Sequence, residues 1–259
     1  MTFNNLHLEF QDHVAIITID HPPANTLSTA TLSELKEALN LIESNDQIKA
    51  VVLTGNGKMF IAGADIKEIG KIDSFEEGER LAKAGQQLFN EIENLKIPVI
   101  AAVNGPCLGG GMELAMACHI RIASETAKFG QPEINLGIIP GFGGTQRLPR
   151  LTNKAVALEW ILTGDLYSAL DAYQVGLVNQ VVKAESLMDE ALSMAQKIAS
   201  KSKVAIGKAM VAVNQGLDNS LQDGLVIEAN QFAEACITED KQEGVKAFFE
   251  KRKPIFVDR

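Results

Sequence analysis

The chain has 259 residues, of which 46% are apolar and 22% charged, and its formal charge is −9. That length can bury a sizeable core, as one large domain or a domain with an extension, and the mix is that of a soluble globular protein. So acidic a chain carries no general electrostatic footprint for nucleic acid or an anionic membrane. An anionic ligand would have to be met by a few placed cations. Cys107, Cys118 and Cys236 show neither C-x-x-C nor zinc spacing and read as thiols in a reducing compartment. The first twenty residues carry no signal-peptide or transit-peptide pattern, and no run of about 18 apolar residues exists. A cytoplasmic location is therefore expected.

In chain order, Leu6, Leu8 and Phe10 alternate, a polar turn follows at Gln11-Asp12-His13, and VAIITI completes a predicted hairpin. Thr31 and Glu34 fit a capping box, opening a helix whose Leu32, Leu35, Leu39 and Ile42 share one face. AVVLTG (50–55) reads as a buried strand ending on glycine. The loop NGKMFIAGADIKEIG leads to a second capping pair, Ser74 and Glu77, and a helix to about Asn94. IPVIAAVNG (97–105) is again a strand ending on glycine, followed by LGGGMELAMAC (108–118), an apolar helix. The unit strand, glycine loop, helix thus occurs twice, over 50–95 and 97–118. HIRIAS and AKFG read as short strands, 137–149 as a proline- and glycine-rich loop, and 153–163 and 168–175 as helices. Helical periodicity then runs through 186–252. The expected organisation is an α/β body over 1–195 and an all-helical region over 196–259.

The segment 108–118 is odd because three glycines enter an apolar helix that also contains a carboxylate, Glu113. Glycine there costs backbone entropy and a buried carboxylate costs desolvation. A phosphate-binding loop would need Gly-Lys-Ser/Thr after the glycines, and Met112-Glu113 stand there instead. The offsets of a dinucleotide fingerprint fail as well, and Glu113 would repel a phosphate. A third use survives: free amides at a helix start can hold a developing oxyanion, such as an enolate oxygen. The turn IAGADIKE (61–68) offers a second donor, the amide of Ala64. Taken alone, such turns are more often packing devices.

Glu133, in FGQPEINLG, is the other charge isolated in an uncharged stretch. The alternatives are that Glu113 serves only the helix dipole and that Glu133 only faces solvent. Twenty residues of separation bring the two together only if the fold does so. Two carboxylates beside an oxyanion hole are equipped for acid–base work on water or a carbon acid. His7, His13, His21 and His119 are scattered, with no metal-ligand spacing and no nucleophile-elbow serine. EKRKP (250–254) and Lys67 are places where an acidic chain could meet a ligand phosphate.

As a set, IAGADIKE, IPVIAAVNGPCLGGGMELAMACHIRIAS, AKFGQPEINLGIIPGFGGTQRLPR, LTGDLYSALDAYQVGLVNQVV and FFEKRKPIF resemble the enoyl-CoA hydratase/isomerase, or crotonase, family nearly end to end. The closest likeness is to its short-chain hydratases. The resemblance implies an α/β fold, the crotonase spiral of repeated ββα units, with a helical C-terminal region that builds homotrimers or dimers of trimers. It implies that the amides of Ala64 and Gly110 form the oxyanion hole, that Glu113 and Glu133 are catalytic, and that the Gly141 amide helps arrange water. Ala62, Asp65, Ile66, Lys67 and Lys253 match positions that contact coenzyme A, the last often across a subunit interface. The implied reaction is reversible addition of water to a trans-2-enoyl-CoA, with no separate cofactor and no metal, because coenzyme A belongs to the substrate. The scaffold also hosts other chemistries, of which Δ3,Δ2-isomerisation is the enzymatic alternative and RNA or acyl-CoA binding the non-enzymatic one. The pair of glutamates favours hydration, and the charge argues against RNA.

Overall fold

The computed structural model describes residues 3–259, and every count below refers to those residues. The nine strands are β1 (Leu6–Gln11), β2 (Val14–Ile19), β3 (Ala50–Gly55), β4 (Val99–Val103), β5 (Cys107–Leu108), β6 (Ile120–Ser124), β7 (Lys128–Gly130), β8 (Tyr167–Ser168) and β9 (Gln180–Val182). β1 and β2 form the expected antiparallel hairpin, from Leu6 opposite Ile19 to Gln11 opposite Val14. From β2 onward the large sheet is parallel, in the order β1-β2-β3-β4-β6-β9. A small sheet, β5-β7-β8, is extended by isolated bridges between Ile61 and Cys107 and between Leu27 and Ala64.

The chain therefore visits the large sheet, then the small one, then a helix. α1 (Thr29–Glu43) closes the first turn, α2 (Ile66–Ile69) and α3 (Phe75–Glu93) the second, and α4 (Gly110–Ala117) the third. That is a spiral of ββα units, in which the two repeats read from glycine-ended strands are consecutive turns. Of the small sheet, β7 falls in the expected strand AKFG, while β5 and β8, two residues each, are too short to show as a period in the sequence.

Burial explains the strand composition. On β3, Val51 and Leu53 face the main core with Leu35, Phe60 and Phe89, while Ala50 and Val52 face the opposite side. There α8 (Leu187–Ala199) packs through Leu187, Ala191, Ala195 and Ala199 against Val14, Ile100 and Ile122. A parallel sheet covered on both faces calls for uninterrupted apolar strands, as found here. α8 spans residue 195. After it, α9 (Lys203–Leu217), α10 (Leu221–Cys236) and α11 (Glu239–Glu250) complete the chain.

Three local expectations are corrected. α1 is capped by Ser28, whose hydroxyl accepts from the Thr31 amide, so the Thr31 and Glu34 pair lies inside the helix. Glu34 instead accepts from the amides of Asn4 and Asn5, at 3.0 and 2.8 Å. Ser74 does cap α3, accepting from the Glu77 amide, but the Glu77 carboxylate reaches the Asp73 amide rather than that of Ser74. The expected loop over 137–149 ends at Gly143, and Gly144–Leu151 is a helix, α5. Pro149 lies within it and masked its periodicity. The helices read at 153–163 and 168–175 are α6 (Lys154–Thr163) and α7 (Ala169–Gln174). Among the described residues no helix is long and apolar enough to cross a membrane.

Candidate active site

Two backbone turns meet at the mouth of α4. Gly109 precedes it at φ +50°, a conformation that L side chains rarely adopt, and a Cβ there would lie 2.9 Å from Glu133 Oε1. Gly111 packs so closely on Ile61 that a Cβ would overlap its carbonyl oxygen. A Cβ on Gly110 would lie 3.2 Å from the Ala64 nitrogen. The three glycines therefore let the start of α4 press against residues 61–64. Among the described residues the amides of Ala64, Gly110 and Gly141 donate to no protein acceptor. Two of these, on different turns of the spiral, converge on one spot.

Glu113 is 2% exposed, one turn into α4. Its Oε1 accepts from the amides of Phe142 (2.8 Å) and Gly144 (2.7 Å). Burial pushes its carboxyl up to about 7, the nearby Glu133 charge adds to that, and the two amides and Arg147 oppose it. Glu133 sits in a 3-10 turn, Pro132–Leu136, and is half-buried, with its carboxyl turned into the cleft described below. Its Oε2 is buried without a hydrogen-bond partner, and burial raises this carboxyl too, to about 7. Two carboxylates in one cleft repel, which disfavours ionising both.

Both carboxyls line a cleft of about 900 Å³ together with Ala62, Ala64, Gly110 and Gly141. Ile69, Ile72, Leu81, Leu136 and Ile138 give it apolar walls. The fold thus brings the glutamates, with β6 and β7 between them in sequence, to one cavity. At the rim, Ile66 is 62% exposed, and Asp65 caps α2 by accepting from the Lys67 amide at 2.8 Å. The Asp65 carboxylate is thereby a helix cap. Lys67 is exposed nearby and Lys253, which follows α11, is exposed as well; neither of them, nor Asp65, lines this cleft. His119 is structural: Nδ1 accepts from the Val99 amide and Nε2 meets the Glu93 carbonyl. Among the described residues no group of three His, Cys, Asp or Glu side chains is placed to hold a metal ion.

The sequence reading passed over Gln131 and Arg147. Gln131, fully buried, donates from Nε2 to the Gly109 carbonyl, which also accepts from the Glu113 amide. Arg147 is 8% exposed and lies behind the turn that grips Glu113. A signal existed for the second: a lone arginine in an otherwise uncharged run, 134–149, deserves a buried partner.

A spiral of ββα units with paired carboxyls and free amides in one apolar cleft defines the chain as a crotonase-fold enzyme. The sequence pattern of the enoyl-CoA hydratase/isomerase family matches residues 9–259. A short-chain-enoyl-CoA hydratase of Clostridium acetobutylicum is 45% identical over 98% of this chain and 97% of its own length. A crotonyl-CoA hydratase of Syntrophomonas wolfei is 42% identical over the whole of both chains. The crystal structure of an enoyl-CoA hydratase from Bacillus anthracis superposes with a TM-score of 0.95 at 40% identity, covering 99% of this chain and 100% of that one. The chain belongs to the enoyl-CoA hydratase/isomerase family.

Proposed function

We propose that this enzyme adds water across the 2,3 double bond of a trans-2-enoyl-CoA, reversibly, to give a 3-hydroxyacyl-CoA. The observation that carries the reading is the pairing of a buried and a half-buried carboxyl with two free amides in one cleft. Two relatives of similar length bear hydratase names, which supports it.

The amides of Ala64 and Gly110 receive the thioester oxygen. Polarising that carbonyl drains electron density from C3 and stabilises the enolate-like transition state, typically by a few kcal/mol for each donor. Glu113, whose Oε1 is already held by two amides, is the better carboxylate, since hydrogen bonds to the charged form favour it. It takes a proton from the water attacking C3. Glu133, with a buried oxygen lacking any donor, is the better neutral acid and gives its proton to C2. The free amide of Gly141 completes the water site. Water and acyl chain are confined by apolar walls, where electrostatic interactions are strong. No separate cofactor takes part.

Ala62, Asp65, Ile66 and Lys67 at the rim would meet the coenzyme A portion, and Lys253 would meet its phosphates from a neighbouring subunit. The assembly we propose is a homotrimer or dimer of trimers, built by the region after residue 195, in the cytoplasm, with no nucleic-acid or membrane partner. The test is crotonyl-CoA hydration, followed as loss of the conjugated thioester absorbance. Turnover by wild type supports the reading, and an inert wild type with intact fold overturns it.

A further inference from the structure

Arg147 is one of the few buried charges in the chain that the mechanism above does not use. It projects from α5 beneath the turn 142–144. Its NH1 donates to the Phe142 carbonyl at 3.1 Å, so one peptide unit of that turn is held by its oxygen while its neighbour holds Glu113 by nitrogen. The opposite edge of the guanidinium is anchored on α3. Nε and NH2 donate to Glu93 Oε2 at 3.1 and 2.9 Å, and NH2 also to Asn90 Oδ1. Room for the guanidinium exists because residue 143 is glycine: at φ +118° a Cβ would overlap NH1. On the other side, the Phe142 ring fills the space left by Gly85 of α3, where a Cβ would collide with it, and meets Phe89 edge-on at 5.7 Å. The turn is thus clamped between α3 and α5 from both faces.

We propose that Arg147 is a positioning residue of the reaction: its fork fixes the 142–144 turn so that the Phe142 and Gly144 amides grip Glu113, and it sets a fixed positive charge behind that carboxylate. This rests on the reading of Glu113 as the base. The charged groups facing Glu113 are Glu133 from the 3-10 turn and Arg147 from α5, with Glu93 of α3 reached only through Arg147. Arg147 is thus the only cation in that set. It acts in the same direction as the two amides, favouring the ionised Glu113.

A structural arginine and a positioning arginine differ in what they do to Glu113. The test titrates the Glu113 carboxyl, by carbon NMR of glutamate-labelled protein, and measures kcat and KM for crotonyl-CoA against pH. It compares wild type, Arg147→Gln, Arg147→Lys and Glu93→Gln. We expect Arg147→Gln to raise the Glu113 midpoint and the acid limb of kcat together by roughly half a unit or more. We expect kcat at the optimum to fall about 10- to 100-fold, with KM changed by less than about 3-fold, as misplacement of a reacting group requires. Arg147→Lys keeps the charge and loses the fork, so its midpoint returns toward wild type while kcat stays low. Glu93→Gln keeps Arg147 and loosens its anchor, giving a smaller fall in kcat, and it serves if Arg147→Gln does not fold. Folded variants whose Glu113 midpoint and kcat match wild type overturn the proposal. If wild type does not hydrate crotonyl-CoA, the reading of the reaction fails, and the NMR arm still decides whether Arg147 sets the state of Glu113.

Discussion

Glu113 and Glu133 share an unfavourable burial but differ in their hydrogen bonds, and that difference sets which of them keeps the proton. Both carboxyls sit at about 7, so the productive state, Glu113 ionised and Glu133 protonated, is most populated near neutrality. The expected kcat profile is a bell with both limbs within about a unit of pH 7. A profile flat from pH 5 to 9 would contradict it. Burial also has a stability consequence. A carboxyl raised from 4.5 to about 7 binds its proton more tightly in the folded chain than in the unfolded one. Its contribution is therefore fully present below about 4.5 and lost as pH rises toward 7. Glu113→Gln keeps an acceptor for the Phe142 and Gly144 amides and removes the buried charge. It should be more stable than wild type at pH 8 by about 1–3 kcal/mol, the gain vanishing near pH 4, as read by urea unfolding at the two pH values.

At the scale of elements, the decisive contact is between α4 and the 61–64 turn. Gly111 makes it possible, and Gly111→Ala must push α4 away from Ile61, separating the two free amides. It should cost about 2–4 kcal/mol of stability and reduce kcat at least tenfold, a combination that circular dichroism melting and turnover together would detect. A variant with unchanged kcat would mean the amides are not used as described. Much of this was legible in advance. The glycines of 109–111 and the isolation of Glu113 marked the site because both features are costly and need a compensating reason. Of the small sheet only β7 was legible, within AKFG, since the two-residue strands β5 and β8 have no period. Nor was α5, where Pro149 hid a helix and with it Arg147. The Thr31 and Glu34 pair matched a capping pattern, yet Ser28 stands one turn earlier and supplies the cap. Short motifs report a possible bond and not which competitor forms it.

Across the whole molecule, the large sheet is covered by α8 on one face and by α1, α3 and α4 on the other, which gives two buried apolar clusters. The region beyond α8 is different. α9 and α10 approach closely where Gly216 and Gly224 meet, a Cβ on the latter lying 3.2 Å from the carbonyl oxygen of the former. α10 buries no residue, and Leu221, Leu225 and Phe232 are exposed along it, with Phe248 and Phe249 on α11. Apolar exposure on this scale is characteristic of an interface. Light scattering should give a mass of three or six chains, and Leu225→Asp with Phe232→Asp should lower it to one without unfolding the sheet. A monomeric wild type would contradict the proposed assembly.

The most direct measurement is hydration of crotonyl-CoA by wild type, Glu113→Gln and Glu133→Gln, with coenzyme A binding followed in parallel. General acid–base groups contribute about 10²–10⁴-fold, so each variant should lose at least that much turnover while still binding. Retention of near wild-type turnover by either folded variant would contradict the two-carboxyl account.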